Sequence, residues 1–346
     1  MPNHLVTAAT LTECLRRSGG IGSGAVVEIY IESEINTTIS VLTFLTATYS
    51  PDVPTDVPRN LIVKAPLERL PVRDHKSGEA HFYRSIAPLL GTAPLVRCLA
   101  VLEEADDSSE IMVLEDLRST HGHPQWPLPP SITQCEAAVD ALAHIHAHWW
   151  EAATLGHTVG QFHTVESLTS MVHGIAAHLP GFMDLLGDAV SSDSRRVYER
   201  AFGGSLQPWL RITDARALTL AHGDAHTWNF LFPRSGHGPT FLIDWQLWHL
   251  DIGARDLAFL MALHWYPSRR RELERRLLQY YHERLLSRGV ANYGFDDLWL
   301  DYRRCVVRNL TIPIILWSRG MRPEAWWYRL ECALAAYRDL GCDELV

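Results

Sequence analysis

The sequence predicts an α+β chain in two parts, a small antiparallel-sheet lobe followed by a large, mainly helical lobe. Three observations carry this. Apolar and β-branched residues alternate at strand spacing between Val26 and Leu114, whereas beyond Leu117 they recur at helical spacing. All twelve tryptophans lie at or after Trp126. The length, 346 residues, exceeds what one hydrophobic core usually covers. The expected division is 1–117 and 118–346.

Residues 12–17 read as the end of a short helix, which the glycine-rich run 18–24 breaks. Residues 26–31 and 39–49 are strands, with 33–38 the turn between them. Three prolines make 51–59 a loop. Residues 60–64 form a third strand that ends on Lys64. Residues 77–90 have helical character, with Phe82, Ile86 and Leu89 at helical spacing. Residues 100–104 and 111–114 are two more strands. A polar, proline-rich connection follows over 118–130. Ser131 is a candidate N-cap for a helix running to Trp150, with Ala138, Leu142, Ile145 and Trp149 on one face. Further helices are expected over 165–178, 194–202, 256–264, 269–286, 296–318 and 323–340. Short strands over 230–232 and 240–243 interrupt them.

Composition narrows the function. Apolar residues make up 47% and charged residues 21%, as in an ordinary globular chain. The net charge is −9 with no long basic run, so nucleic acid is not expected as a partner. The six cysteines form no C-x-x-C pair and read as free thiols in a reducing compartment. No stretch approaches the roughly 18 apolar residues needed to span a bilayer. The expectation is a cytoplasmic protein without a membrane partner.

The chemistry concentrates in His222-Gly223-Asp224-Ala225-His226-Thr227-Trp228-Asn229 and, after a short apolar strand, Ile243-Asp244-Trp245. H-x-D-x-x-x-x-N followed by a second Asp is the spacing of a phosphoryl-transfer centre, with one base and two metal ligands. Such a reaction asks the protein for position and charge. Asp224 would orient an attacking hydroxyl and accept its proton. The Asn229 amide oxygen and the Asp244 carboxylate are the hard oxygen donors that Mg²⁺ prefers. Lys64 can reach the phosphates of a nucleotide, with Glu79 as its carboxylate partner and Glu68 as the competitor. No G-x-G-x-x-G lies between the first two strands. The phosphate-covering segment is therefore placed at 34–40, where Thr37, Thr38 and Ser40 offer hydroxyls and amides.

Together with Ile62-Val63-Lys64, Glu79 with Phe82-Tyr83, Met112–Leu117, Leu142–His146 and Asp256-Leu257-Ala258, these motifs resemble the aminoglycoside phosphotransferase and choline kinase superfamily. The branch of ecdysteroid-kinase-like proteins looks nearest. The resemblance implies a bilobal protein-kinase-like fold with the nucleotide in the cleft. It implies ATP, or another nucleoside triphosphate, and Mg²⁺ as cofactors. Residues 1–117 would be the nucleotide-binding lobe and 118–346 the catalytic and acceptor-binding lobe. Glu115 to Leu117 would be the hinge at the adenine, Asp224 and His222 the catalytic pair, and Asn229 and Asp244 the metal ligands. His222 and Asp256 would brace the loop. Gly223 stands where protein kinases have arginine, and Trp245 where they have Phe-Gly. A small-molecule acceptor alcohol is therefore favoured over a protein.

Two other readings compete. One is a catalytically inactive nucleotide-binding protein of the same fold, although Lys64, Asp224, Asn229 and Asp244 are all present. The other is a zinc hydrolase built on His222, Asp224 and His226, which would need this segment to be helical. Trp149, Trp245, Trp248 and Trp265 are candidates for an acceptor pocket suited to apolar or quaternary-ammonium ligands. His144, His146 and His148 are two apart and cannot share a helix face, which leaves His146 as a core or supporting residue.

Overall fold

The computed structural model describes residues 6–37, 39–67, 78–91, 93–103, 110–125 and 127–346. Thr38, Glu68 and Trp126 of the sequence reading lie outside them. The chain forms two compact units. The first holds the residues up to His123 together with Leu231–Leu247; the second holds Pro124–Phe230 and Trp248–Val346.

The first unit is built on a five-stranded antiparallel sheet: β1 (Val26–Asn36), β2 (Ser40–Tyr49), β3 (Asn60–Pro66), β4 (Cys98–Glu103) and β5 (Glu110–Glu115), in the order β1-β2-β3-β5-β4. Helix α1 (Ala8–Arg17) starts on a Thr7/Thr10 capping box and buries Leu11, Cys14 and Leu15. With Ile21, Leu45, Leu61, Val63 and Val113 these residues make the core of the unit. Strand β1 runs five residues past its expected end. Ser33 to Asn36 pair with Phe44 to Val41 beyond an irregularity at Ile31/Ser33, so the polar stretch read as a turn is edge strand. The expected helix at 77–90 is compound: α2 (Glu79–His81), a π turn (Phe82–Ile86) and a 3₁₀ turn (Ala87–Leu89). Pro88 has no amide to continue an α-helical ladder, and the Ala87 amide reaches back to Phe82 O instead. The wide turn buries Phe82, Tyr83 and Ile86 together. Strands β6 (His121–Gly122), β8 (Phe230–Pro233) and β9 (Phe241–Leu242) form a small sheet.

The second unit is mainly helical: α3 (Ile132–His148), α4 (Val165–Ala176), α5 (Leu179–Leu186), α6 (Ser192–Gly203), α7 (Gln207–Leu210), α8 (Ala254–Leu257), α9 (Pro267–Ser287), α10 (Phe295–Asn309), α11 (Thr311–Ser318) and α12 (Pro323–Asp339). Ser131 caps α3 as expected: it accepts the Gln134 amide at 3.2 Å, while the Gln134 side chain accepts the Ser131 amide at 2.8 Å. The helix expected over 296–318 is two, because Pro313 cannot donate within the first turn of α11. Helix α8 passes into a fully buried π turn (Ala258–Leu263). Strands β7 (Leu218–Ala221) and β10 (His249–Ile252) pair antiparallel, Ala221 opposite His249. Buried Asp251 on β10 is held by Arg308 at 2.5 Å, which keeps its carboxyl far below the ordinary range against the opposing effect of burial. Among the described residues no helix is long and apolar enough to cross a membrane.

Candidate active site

Strand β7 delivers the chain into the loop His222–His226, and a 3₁₀ turn (Thr227–Asn229) leads out of it into β8. This segment is not helical, so the i, i+4 geometry required by the zinc reading is missing. Among the described residues no group of three or more His, Cys, Asp or Glu side chains is placed to hold a metal ion. Gly223 has φ +81°, a left-handed conformation in which a side chain is strained.

Asp256 on α8 fixes the loop. Its carboxylate, fully buried, accepts the amides of His222 at 2.6 Å and Gly223 at 2.9 Å. It also accepts from His146 Nε2 at 3.1 Å, and His146 Nδ1 lies 2.8 Å from the Tyr281 hydroxyl. The network therefore runs from the Tyr281 hydroxyl to His146 Nδ1, and from His146 Nε2–H to Asp256. Burial raises the Asp256 pKa, but the bond from His146, its proximity and the His222 amide outweigh that and hold it below the usual aspartate value. The close approach behind this network is made possible by Gly253: a Cβ there would lie 2.2 Å from Tyr281 Oη and 2.8 Å from His146 Nδ1.

Pinned at two successive amides, the loop presents Asp224 with its side chain partly exposed. Asn229 donates through Nδ2 to the Asp224 carbonyl at 2.8 Å, which turns its amide oxygen away from that contact. His222, expected in the catalytic pair with Asp224, is buried, and its Nδ1 accepts the Asp224 amide at 3.3 Å. That contact braces the loop, the second of the two roles expected of His222.

In the first unit, Lys64 on β3 lies between two carboxylates. It pairs with Glu79, the first residue of α2, and with Asp244 Oδ1 at 3.1 Å. Burial disfavours the ammonium, yet Glu79 and then Asp244 hold the Lys64 pKa above the ordinary lysine range. Burial pushes Glu79 up and Lys64 opposes it. Asp244 follows β9 at φ +63°, an uncommon conformation for a non-glycine residue. The next residue, Trp245, is fully buried and stacked on Phe82, with ring centroids 4.0 Å apart and 2° between planes. The stack ties Asp244 to the helix that carries Glu79.

The expected nucleotide contacts fare unevenly. Ser40 is buried at the head of β2, its amide donates to Thr37 Oγ1 at 2.9 Å, and its carbonyl accepts from Thr37. The residue closes the β1–β2 hairpin and has no amide left for a phosphate. Thr38 lies outside the described residues. Of the hinge amides, Glu115 donates to Arg97 O and Asp116 to Asn60 O, both at 2.9 Å. The Leu117 amide has no partner among the described residues, and its carbonyl accepts from Thr120 and His121. Each residue expected to meet a divalent cation offers a hard oxygen donor, an amide oxygen at Asn229 in the second unit and a carboxylate at Asp244 in the first.

Residues 39–289 match the ecdysteroid kinase-like family. The chain belongs to that family. No curated protein matches the sequence. Among solved structures, a Ralstonia eutropha JMP134 protein assigned provisionally to the aminoglycoside phosphotransferases shares 13% identity at a TM-score of 0.60, over 97% of this chain and 98% of the other. A Plasmodium vivax ethanolamine kinase follows at 10% identity and 0.56, over 90% and 81%. The GDP complex of aminoglycoside 2'-phosphotransferase-IIIa gives 11% and 0.52, over 97% and 99%. At such identities the likeness establishes the fold, the bilobal protein-kinase-like one expected.

This ecdysteroid kinase-like protein also has a cavity that sequence reasoning located only in part. It encloses about 460 Å³ within the second unit. Of the four tryptophans singled out, Trp265 lines it, whereas Trp149, Trp245 and Trp248 are buried elsewhere. Trp228, Tyr266, Trp327 and Tyr328 complete its ring-lined wall. Trp228, which the sequence reading did not single out for the pocket, sits inside the motif itself.

Proposed function

We propose that the protein is a nucleotide-dependent phosphotransferase that phosphorylates a hydroxyl of a small, amphipathic alcohol. The observation that carries this reading is Lys64 held between Glu79 and Asp244. A buried ammonium with two carboxylates is what a site for an anionic phosphate chain beside a divalent cation requires. Lys64 takes the nucleotide phosphates, and Glu79 fixes its reach. The backbone at Glu115–Leu117 meets the base, with the Leu117 amide as donor. ATP is the expected nucleotide. Asn229 and Asp244 would hold Mg²⁺, which supplies charge neutralisation at the transferring phosphate. Asp224 orients the acceptor hydroxyl and takes its proton, and the Asp256 clamp and His222 keep Asp224 in place.

The test is transfer of labelled phosphate from ATP with Mg²⁺ to a panel of alcohols and amino alcohols. Turnover is expected in the wild type, with a loss of at least a thousandfold in Asp224→Ala. Undiminished transfer by that variant would sink the assignment of the base. Tight ATP binding with no turnover on any acceptor would instead point to an inactive nucleotide-binding protein.

A further inference from the structure

Tyr83 carries a polar atom to which the fold gives no task. The residue lies in the π turn Phe82–Ile86, where it is buried. Its ring meets Phe82 edge-on, with centroids 5.5 Å apart and 80° between planes. Its hydroxyl is enclosed and has no hydrogen-bond partner among the described residues. A buried hydroxyl in that state weakens folding about tenfold or more. Phenylalanine would fill the same ring volume without the cost, so packing does not account for the tyrosine. Wide turns of this kind occur frequently at functional sites.

An acceptor for that hydroxyl stands one turn away. Glu79 precedes Tyr83 by four residues on the same short helix and its continuation. At that spacing Cβ atoms lie about 5–6 Å apart, within the span of both side chains. Burial pushes the Tyr83 phenol well above its ordinary value, and the Glu79 charge is the next cause, ahead of Cys98 and Asp244. The Cys98 thiol is already engaged with Ala100 O at 3.4 Å. Glu79 is buried as well, and receives the Lys64 ammonium and the Trp245 amide. An ionised carboxylate has about four acceptor sites, so it has room for another donor.

Lys64 is shared between Glu79 and Asp244. When the ammonium turns toward a phosphate chain, Glu79 becomes a buried carboxylate short of its cation, which is a costly state. We propose that Tyr83 is a positioning residue for that state: its hydroxyl donates to Glu79 as Lys64 engages the nucleotide, and so holds the carboxylate where it still guides the lysine. The unpaired hydroxyl of the free protein is a donor kept in reserve. The inference rests on the phosphotransferase reading for the nucleotide at Lys64, but the exchange of Lys64 for Tyr83 on Glu79 can be measured without one.

Urea unfolding and Mg-ATP binding of the whole protein test it, the first followed by circular dichroism and the second by calorimetry. In the wild-type background Tyr83→Phe should leave the urea midpoint unchanged or raise it, because the hydroxyl removed has no partner. Lys64→Met takes the cation from Glu79 without any nucleotide, and there Tyr83→Phe should lower the midpoint. Affinity for Mg-ATP should fall about tenfold in Tyr83→Phe, the worth of a hydrogen bond to a carboxylate. A midpoint lowered in the wild-type background marks a structural hydroxyl and overturns the inference. So does a midpoint that does not fall in the Lys64→Met background, or a Mg-ATP affinity equal to that of the wild type. If Lys64→Met fails to fold, the affinity decides. A wild type that binds no Mg-ATP overturns the phosphotransferase reading, and the reversal of sign in urea then decides the pairing of Tyr83 with Glu79 by itself.

Discussion

Replacing Asp256 by asparagine tests the clamp beneath Asp224 directly. The carboxylate receives three donors: His222 N and His146 Nε2 on Oδ2, and Gly223 N on Oδ1. An asparagine can keep its oxygen toward the first two, which leaves its NH₂ against the Gly223 amide. One bond to a charged acceptor is then lost, and two fall from charged to neutral strength. At about 1.5–3 kcal/mol for a charged bond and about 1 for a neutral one, the loss is about 2.5–7 kcal/mol. That is a large share of the roughly 5–15 kcal/mol of a typical fold. Urea unfolding followed by far-UV circular dichroism measures it as a shift in midpoint at constant slope. The pH dependence supplies a second check. The folded Asp256 pKa lies below the ordinary aspartate value. Its contribution is therefore complete above about pH 4 and disappears as the pH falls through the lowered value. The gap between wild type and variant should close over that interval. A loss under about 1 kcal/mol at neutral pH, or a gap indifferent to acid, would refute the reasoning.

Two other substitutions probe the remaining parts. Lys64→Met leaves buried Glu79 facing Asp244 without a cation. Stability should fall by about 3–5 kcal/mol, and affinity for Mg-ATP, read by calorimetry, should drop at least tenfold; unchanged affinity would remove Lys64 from the nucleotide site. Gly223→Ala forces a side chain to φ +81°, so unfolding should cost about 1–2 kcal/mol less. Turnover should fall while nucleotide affinity holds, and a fully active, fully stable variant would show that the loop tolerates a different backbone path.

Much of this molecule could be read before it was seen. The strands of the first unit were legible because one face of each is buried, so apolar residues alternate. Lys64 and Glu79 were legible as partners because a strand-end lysine and a helix-start glutamate point into the same space. Asp224, Asn229 and Asp244 were singled out by spacing, and their proposed roles rest on that spacing. What stayed hidden is backbone that departs from the simple periods. The π turn at Phe82–Ile86 keeps the apolar count of an α-helix while shifting which residues face inward. The outer half of β1 is polar on both faces because it is an edge, and so it looked like a turn. Ser40 was assigned to phosphate through its hydroxyl and its amide, and the hairpin takes the amide. The cavity is the extreme case. Trp326 and Trp327 are adjacent and chemically identical, yet one is core and the other is wall. Only the rotation of α12 separates them.

Gly253 gives the site a narrow tolerance of a kind that no reacting group displays. The strand that ends at Ile252 enters α8 so close to His146 and Tyr281 that a single methyl has nowhere to go. Three residues later the same helix presents Asp256. An alanine at 253 would alter none of the named functional side chains and still displace the start of α8, carrying the clamp away from the amides of His222 and Gly223. The alignment of the loop His222–His226 is thus set at a distance by an atom that is missing, and a survey of side chains alone would pass over the position on which that alignment turns.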